Sequence, residues 1–437
     1  MKDTRPAKKE KPLNLHFLKC TFLGSCLAIS CIAIFISSET THDENSLMNE
    51  LGPPPPWPVF TAVNFLANFF RNIADKLTPP QITMLDFGFS HQKLALPYVI
   101  QKYKIADFIG TGPKTVDQIA VYLSIPNVKY VERFMYACAA IGLFKLEDER
   151  IFVNSKLSAV LRRDHPNSMA AWIGHHYEVG LKVWSNFHHM FDPNEPDVLA
   201  WNLAFPDYIF DPPKQQIGIY KMFNENPAQE EQFGRMMEAL EGVGGYAMAA
   251  DGPFEHCSRF IDIGGSRGHF LTKLLRLYGE GPKEVTGVLF DVTSVINIAT
   301  EVFDPELVKQ QKVQFVAGDF FNQTTIPMIN DGDCIYLRYI LHDWGDNEAK
   351  QILNNIRLSI GNKKATLLIG ECAMPDRDVI GTPSAVHSVD MEMLAYFGEA
   401  SERYPSYWNR LLEETKFEMK AVHQTRSMLA WVEVSPV

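Results

Sequence analysis

Two hydrophobic rhythms divide this chain near residue 258. Before it, apolar residues recur every three to four positions, the spacing of amphipathic helices. Val59-Phe-Thr-Ala-Val-Asn-Phe-Leu-Ala-Asn-Phe-Phe70 predicts a strongly apolar helix, a surface that needs a partner. Thr115 caps a helix through Val116-Asp-Gln-Ile-Ala-Val-Tyr-Leu123, a turn at Pro126-Asn127 follows, and a second helix runs from Val131 to Ile141 and stops at Gly142. Phe144-Lys-Leu146, a charged turn over Glu147–Arg150 and Ile151-Phe-Val153 then read as a small hairpin. Helix, turn, helix and hairpin make a winged-helix pattern. After residue 258 short β-rich runs alternate with helices. They predict strands at Arg259–Ile263, Thr286–Phe290, Val313–Val316, Asp333–Leu337 and Thr366–Gly370, and a C-terminal pair near Glu418–His423 and Leu429–Val434. Such alternation specifies a parallel sheet with helices on both faces, an α/β fold.

The winged helix does not read as a DNA binder. Its second helix offers only Glu132 and Arg133 as charged groups before Phe134-Met-Tyr-Ala-Cys-Ala-Ala140, whereas a recognition helix needs several polar side chains aimed at base edges. The formal net charge of −11 agrees, because a nucleic-acid binder needs a basic footprint. At 437 residues and 46% hydrophobic, the chain is long enough for two domains and extensions.

The N-terminus has its own pattern. Lys2, Arg5, Lys8, Lys9 and Lys11 precede an uncharged apolar run from Cys20 to Ile36, with Phe17 and Leu18 ahead of Lys19. The run approaches the length of a membrane-spanning helix, and no small-x-small cleavage site follows it, which favours an uncleaved signal anchor over a cleaved signal peptide. Basic residues before the run and Glu39, Asp43, Glu44 and Glu50 after it place the N-terminus in the cytosol of a single-pass membrane protein. Gly52-Pro-Pro-Pro-Pro-Trp-Pro58 then forms a stiff spacer. Against a lumenal domain stand Cys138, Cys257, Cys334 and Cys372, which lie in apolar contexts and read as free buried thiols suited to a reducing compartment. No CxxC pair occurs, so the spacing points neither to a zinc cluster nor to a redox motif, and no metal is expected.

The chemistry concentrates after the change of rhythm. Phe260-Ile-Asp-Ile-Gly-Gly-Ser-Arg-Gly-His-Phe270 takes a strand into a glycine turn and at once into a helix. Glycine lets the backbone turn tightly and approach a ligand without a Cβ in the way. The second strand ends at Asp291, placed as an acid that hydrogen-bonds ribose hydroxyls. The third leads to Ala317-Gly-Asp-Phe-Phe321, where Asp319 suits an adenine amino group and Phe320 its face. Turn, ribose acid and adenine acid in this order describe an adenosine site. A dinucleotide is disfavoured, because the turn is G-G-x-x-G rather than G-x-G-x-x-G. The fourth strand enters Leu337-Arg-Tyr-Ile-Leu-His-Asp-Trp344, which puts His342 on the ligand edge, with Glu371 and Glu402 as candidate flanking acids.

From about residue 85 to 437 these motifs resemble the S-adenosylmethionine-dependent O-methyltransferases that include caffeate, flavonoid and acetylserotonin methyltransferases. The match rests on Asp-Ile-Gly-Gly-x-x-Gly, Phe-Asp, Gly-Asp-Phe-Phe, Leu-His-Asp-Trp, Gly-Glu-Cys-Ala-Met-Pro and the late Glu-Arg-Tyr. The resemblance implies a Rossmann-like catalytic domain preceded by a mostly helical winged-helix dimerisation domain. The resemblance leaves to the residue pattern a basic tail over 1–16, a transmembrane anchor over 17–37 and a Pro-rich linker over 38–58, and it assigns a helical dimerisation and substrate-lining domain over 59–250 and a catalytic domain over 251–437. It implies a homodimer and S-adenosylmethionine as cofactor. Gly264 and Gly265 would line the methionine end, Asp291 the ribose, and Asp319 with Phe320 the adenine, while Arg338 stands near the cofactor. His342 would be the general base, oriented by Glu371 and Glu402. Phe233, Met237 and Met393 would wall the acceptor pocket. Ser401-Glu402 departs from the family's Gly-Lys-Glu, the stretch through Gly279–Glu284 is longer than usual, and an N-terminal anchor is foreign to the family.

The expected reaction moves a methyl group to a hydroxyl of a small, aromatic acceptor. The sulfonium methyl is already electrophilic, so the protein must supply alignment and a base for a phenol that ionises near pH 10. A base titrating near pH 7 suits that task. The alternative is a cofactor-binding relative whose methyl transfer is altered or lost. Trp172, Trp184, Phe187, Phe233, Met236 and Met237 are compatible with an aromatic pocket and equally with ordinary core.

Overall fold

The computed structural model describes residues 53–195, 198–209, 218–279, 284–374 and 384–437. Residues 55–87 form one compact unit, and residues 53–54 and 88–437 belong to a second. In the first, helix α1 (Trp57–Leu77) starts from the proline run, with a proline in its first turn, where a missing N–H costs nothing. It buries no residue: Phe65 and Phe70 are 68% and 63% exposed. Helix α2 (Pro80–Lys102) begins in the first unit, and near its C-terminal end, in the second, Pro97, Tyr98 and Ile100 are buried.

The membrane-anchored localisation expected from residues 17–37 needs correction. Those residues lie outside the described ones, and among the described residues no helix is long and apolar enough to cross a membrane.

The winged helix forms as its pattern predicts. It consists of α3 (Ile105–Ile109), β1 (Lys114–Thr115), α4 (Val116–Tyr122), α5 (Val128–Ala140), β2 (Phe144–Asp148) and β3 (Ile151–Asn154). A reciprocal capping box between Thr115 and Gln118 starts α4. Helix α5 buries Val131, Met135 and Cys138, one face at helical spacing, against a core that includes Ile105, Ile119, Phe144 and Phe152. Short helices α6 (Lys156–Ala159) and α7 (Ala170–His175) follow. The chain then passes through a π-helical turn, His176–Gly180, into α8 (Leu181–Asn186), and continues as α9 (Ala200–Ala204), α10 (Gly218–Glu225) and the long α11 (Pro227–Asp251).

The α/β part contains β4 (Arg259–Ile263), α12 (His269–Gly279), β5 (Thr286–Asp291), α13 (Thr293–Val302), α14 (Pro305–Lys309), β6 (Val313–Ala317), β7 (Asp333–Arg338), α15 (Asp346–Ile360), β8 (Thr366–Cys372), α16 (Ser384–Phe397), α17 (Pro405–Glu414), β9 (Phe417–Gln424) and β10 (Leu429–Pro436). Their order in the sheet is β6-β5-β4-β7-β8-β10-β9. The first five run parallel; β10 is antiparallel to both β8 and β9. Successive side chains of a strand point to opposite faces. Ile261, Ile263, Val288, Phe290, Ile335 and Leu337 therefore enter one core, while Phe260, Leu289, Cys334, Tyr336 and Leu368 enter the other. With β5 on one side of β4 and β7 on the other, the chain reverses its winding at β4, and a crevice opens at the C-terminal ends of these strands.

The cysteines differ from expectation. Cys138 and Cys372 are free and buried, but Cys257 and Cys334 are joined as a disulfide across 77 residues. Pairing β4 with β7 brings together two residues whose sequence separation hides their proximity.

Candidate active site at the carboxyl edge of the sheet

Every cofactor-side and acid–base candidate lies at or just past the C-terminal end of a sheet strand, apart from Glu402, which the loop between α16 and α17 carries back to that edge. Beyond β4, Gly264, Ser266 and Gly268 have φ of +74°, +52° and +78°, a succession of left-handed conformations. A Cβ on Gly264 would stand 2.5 Å from Ile340 Cδ1, and one on Gly265 2.4 Å from Leu289 Cδ1 and 2.5 Å from Asp262 Cγ. The N–H groups of Gly264 and Gly265 both donate to Phe290 O, at 2.8 and 3.2 Å. The turn is thereby fixed to the end of the neighbouring strand.

Asp291 reaches back to the same turn. Its Oδ2 accepts from Ser266 N at 2.8 Å and its Oδ1 from Val292 N at 2.7 Å. Burial outweighs both bonds and raises its carboxyl to about 6; burial likewise pushes Asp262 up to about 7. Asp319 is exposed, and its Oδ1 accepts from Phe321 N at 2.8 Å. Phe320 is half-buried edge-on to Trp344, its ring centroid 5.9 Å away, and the nearest ring carbon lies 3.8 Å from where a Cβ on Gly264 would be. Turn, acid and aromatic face thus converge on one patch.

Arg338, at the end of β7, pairs with α11. Its Nη2 is 2.5 Å from Oε2 of buried Glu241 on α11, and its guanidinium lies over the Phe270 ring at 4.6 Å. Lys273 Nζ meets the other oxygen of Glu241 at 3.3 Å. Nothing in the sequence pattern marks Glu241 as a partner.

At the next strands His342, Glu371 and Glu402 come together, all buried. His342 Nδ1 donates to Glu402 Oε1 at 2.6 Å, and Glu371 Oε2 stands 3.7 Å from the same nitrogen. Glu371 Oε1 is held by the N–H groups of Ile340 and Leu341, at 3.2 and 2.8 Å. On the other side of the ring, Nε2 lies 3.4 Å from Asp343 Oδ1, and Asp343 Oδ2 accepts from Tyr220 Oη at 2.9 Å. Burial disfavours the imidazolium, but Glu402, Glu371 and Asp343 outweigh it and raise His342 to about 10. Burial raises Glu371 to about 7 against the pull of His342. The sequence led us to expect a histidine titrating near 7; the difference comes from three carboxylates gathered around one ring.

Three side chains that the sequence reading passed over shape this region. Arg403, next to Glu402, donates to the carbonyls of Leu341 and Trp344, both at 2.7 Å, and so grips the backbone on either side of His342. Its place in the Glu-Arg-Tyr motif was the available signal. Tyr220 gave none. Arg267, inside the glycine turn, is buried and donates to Glu230 and Glu231 of α11 at 2.9–3.2 Å. Gly234 is what admits it, since a Cβ there would be 2.4 Å from Arg267 Cζ.

Among the acceptor-side candidates, Phe233 and Met393 pack against the cluster that contains Leu341, Trp344 and Tyr396. Phe233 also meets Phe223 and His175, with ring centroids 4.6 and 5.8 Å away. Met237, one turn further along α11, is half-buried and lies outside that cluster.

A glycine cradle at the sheet's crevice with acids beyond the next two strands defines a nucleoside-binding α/β protein. Comparison with known proteins narrows this. The O-methyltransferase domain family model matches residues 207–418. The phenazine O-methyltransferase PhzM of Lysobacter antibioticus is 28% identical over 340 residues, 78% of this chain and 92% of that protein. An 8-amino-8-demethylriboflavin N,N-dimethyltransferase of Streptomyces davaonensis is 25% identical over 340 residues, 77% of this chain and 90% of that protein. The crystal structure of human N-acetylserotonin methyltransferase in complex with S-adenosylmethionine shares the fold, with a TM-score of 0.69 and 18% identity over 82% of this chain and all but 1% of that one. The chain carries this O-methyltransferase domain and is an S-adenosylmethionine-dependent O-methyltransferase. S-adenosylmethionine is its methyl donor and a small molecule its acceptor.

Proposed function

We propose that this enzyme methylates a hydroxyl of a small aromatic acceptor, with His342 as the base. The observation that carries the reading is the 2.6 Å contact between His342 Nδ1 and Glu402 Oε1 at the same sheet edge as the glycine turn. Bound in the crevice, S-adenosylmethionine supplies an electrophilic methyl group. Gly264 and Gly265 leave room for its methionine end, Asp291 receives the ribose hydroxyls, and Asp319 with Phe320 receives the adenine. These residues fit such a ligand: the turn that would cradle it lies at the C-terminal end of β4 and is held in shape by Phe290 O and Asp291 Oδ2. Arg338 acts through Glu241, holding the wall behind the methionine end.

Glu402 keeps the proton of His342 on Nδ1, which turns Nε2 toward the acceptor as the atom that takes the hydroxyl proton. Glu371, clamped by two backbone N–H groups, adds negative charge beside the imidazolium that forms. Phe233, Met237 and Met393 supply apolar wall. Relatives named for a phenazine and an aminoriboflavin, both planar ring systems, support an aromatic acceptor.

The active form we propose is a homodimer. Its support is the apolar surface of α1 and of the start of α2, where Phe65, Phe70, Leu77 and Phe87 are 63–78% exposed. The test of the catalytic reading is the rate of methyl transfer to a panel of hydroxylated aromatics by wild type and His342→Gln. A mutant that matches the wild type at pH 7 would place the base elsewhere.

A further inference from the structure

At the opposite end of the sheet, His256, Cys257 and Cys334 form a cluster that methyl transfer does not use. Cys257 immediately precedes Ser258 and β4, and Cys334 is the second residue of β7. Both sulfurs belong to fully buried residues, while His256 is exposed above them. His256 Nε2 lies 3.7 Å from Cys334 Sγ and 4.0 Å from Cys257 Sγ. The same nitrogen is 3.2 Å from Thr366 Oγ1 at the start of β8.

These separations carry a specific geometry. With zinc–sulfur and zinc–nitrogen bonds of about 2.3 and 2.05 Å, a tetrahedral site has N···S edges of about 3.6 Å. Two such edges already exist here, within a few tenths of an ångström. The Cα atoms of the cysteines are 5.7 Å apart, a span that suits a disulfide. Two thiolates on one ion need their sulfurs about 3.8 Å apart, which side-chain rotation supplies without moving the strands. The exposed imidazole provides an entry path, and among the described residues three protein ligands converge, which leaves a fourth position for water.

We infer that His256, Cys257 and Cys334 form a two-state site: a disulfide when oxidised, and a Cys2His site for a soft divalent ion such as Zn2+ when reduced. Reduction adds two electrons and two protons to the S–S bond and gives two thiols. A phosphine reductant supplies the electrons and becomes a phosphine oxide, taking its oxygen from water. Metal binding then releases the two thiol protons, leaving two thiolates and the neutral imidazole on the ion. Either state ties the entry of β4 to the entry of β7, beside the Arg259–Asp333 ion pair at 3.2 Å. The site thus holds the base of the sheet in both redox conditions, and the soft ion stands in for the lost covalent bond.

The test uses the full chain, reduced with a water-soluble phosphine and titrated anaerobically with Co2+, which reports thiolate ligands by a sulfur-to-metal absorption band. One equivalent of Co2+ should generate the band in the reduced protein and none in the oxidised protein. Zn2+ should bleach it, and mass spectrometry should find the Cys257–Cys334 bond only in the oxidised sample. His256→Ala, a surface change, should weaken Co2+ binding by about tenfold or more. Cys334→Ser should abolish the two-thiolate spectrum while S-adenosylhomocysteine still binds, which reports an intact fold. Absence of the band from reduced wild type would overturn the inference. So would a band that persists unchanged in Cys334→Ser, since the ion would then sit on other cysteines, or one whose affinity ignores His256→Ala.

Discussion

His342, the proposed base, is crowded by acids, and the crowding sets its pH behaviour. Only the neutral imidazole accepts a proton, and the surrounding carboxylates hold the ring protonated up to about pH 10. Turnover of a phenol should therefore climb with pH from neutrality toward 10. Acidic phenols, which surrender their proton more easily, should turn over faster at pH 7. Glu371→Gln removes one of the acids and should move the climb to lower pH, a shift read from the profile of kcat/KM. His342→Gln should keep cofactor affinity and lose about 100-fold or more in kcat at pH 7, with partial recovery as pH nears the acceptor's own pKa. Stability has its own sign. The folded value of His342 lies above the roughly 6.5 of an unfolded histidine, so its contribution is full below about 6.5 and is lost as pH rises through 10. Glu371, raised to about 7 from an unfolded value near 4.3, has the same sign and loses its contribution across that lower window. Thermal scans should show Tm falling toward alkaline pH, less steeply in His342→Gln than in wild type. Asp291→Ala removes a charge-assisted bond of about 1.5–3 kcal/mol, so S-adenosylhomocysteine should bind roughly 10- to 100-fold more weakly by calorimetry. Unchanged affinity would remove Asp291 from the cofactor site.

At the level of elements, Arg267 joins the glycine turn to α11, the helix that also carries Phe233 and Met237. The proposed cofactor cradle and acceptor wall are thereby one mechanical piece. Arg267→Ala should weaken S-adenosylhomocysteine and raise acceptor KM together. Gly234→Ala should do the same from the other side by pushing the guanidinium away. Acceptor KM unaffected in both variants would mean that the clamp is only structural. This link also marks the boundary of what the sequence could reveal. The strands β4 to β8 were legible to within two residues and the helices and hairpin of the winged helix to within three, because period-two and helical repeats are local signals. Gly264, Asp291, His342 and Glu371 were legible as candidates because each ends or follows a strand in motif order, and Glu402 through the late Glu-Arg-Tyr motif. The Glu241–Arg338, Tyr220–Asp343 and Cys257–Cys334 pairings were not, since these partners lie 77 to 123 residues apart and no local spacing encodes such distances. The titration of His342 was misjudged for the same reason: the number of acids around it is a property of the sheet edge.

For the whole molecule, the apolar faces of the first unit make the subunit's solution state the decisive measurement. Protein lacking residues 1–50 should sediment as a dimer at micromolar concentration. Phe65→Ser combined with Phe70→Ser, on residues 68% and 63% exposed, should shift it toward monomer without unfolding the catalytic part. A wild-type monomer at that concentration would refute the assembly.

The sheet's last two strands carry a further consequence. β10 follows β9 in the chain yet lies between β9 and β8, and its Trp431 is fully buried against Phe254, Phe270 and Tyr336. During synthesis β9 therefore emerges with no strand to pair with, and β8 keeps a bare hydrogen-bonding edge, until residues 429–436 arrive. Such an edge is a template for any passing strand. A chain interrupted between β9 and β10 is thus expected to be sticky as well as inactive, drawing chaperones while the complete chain passes them by.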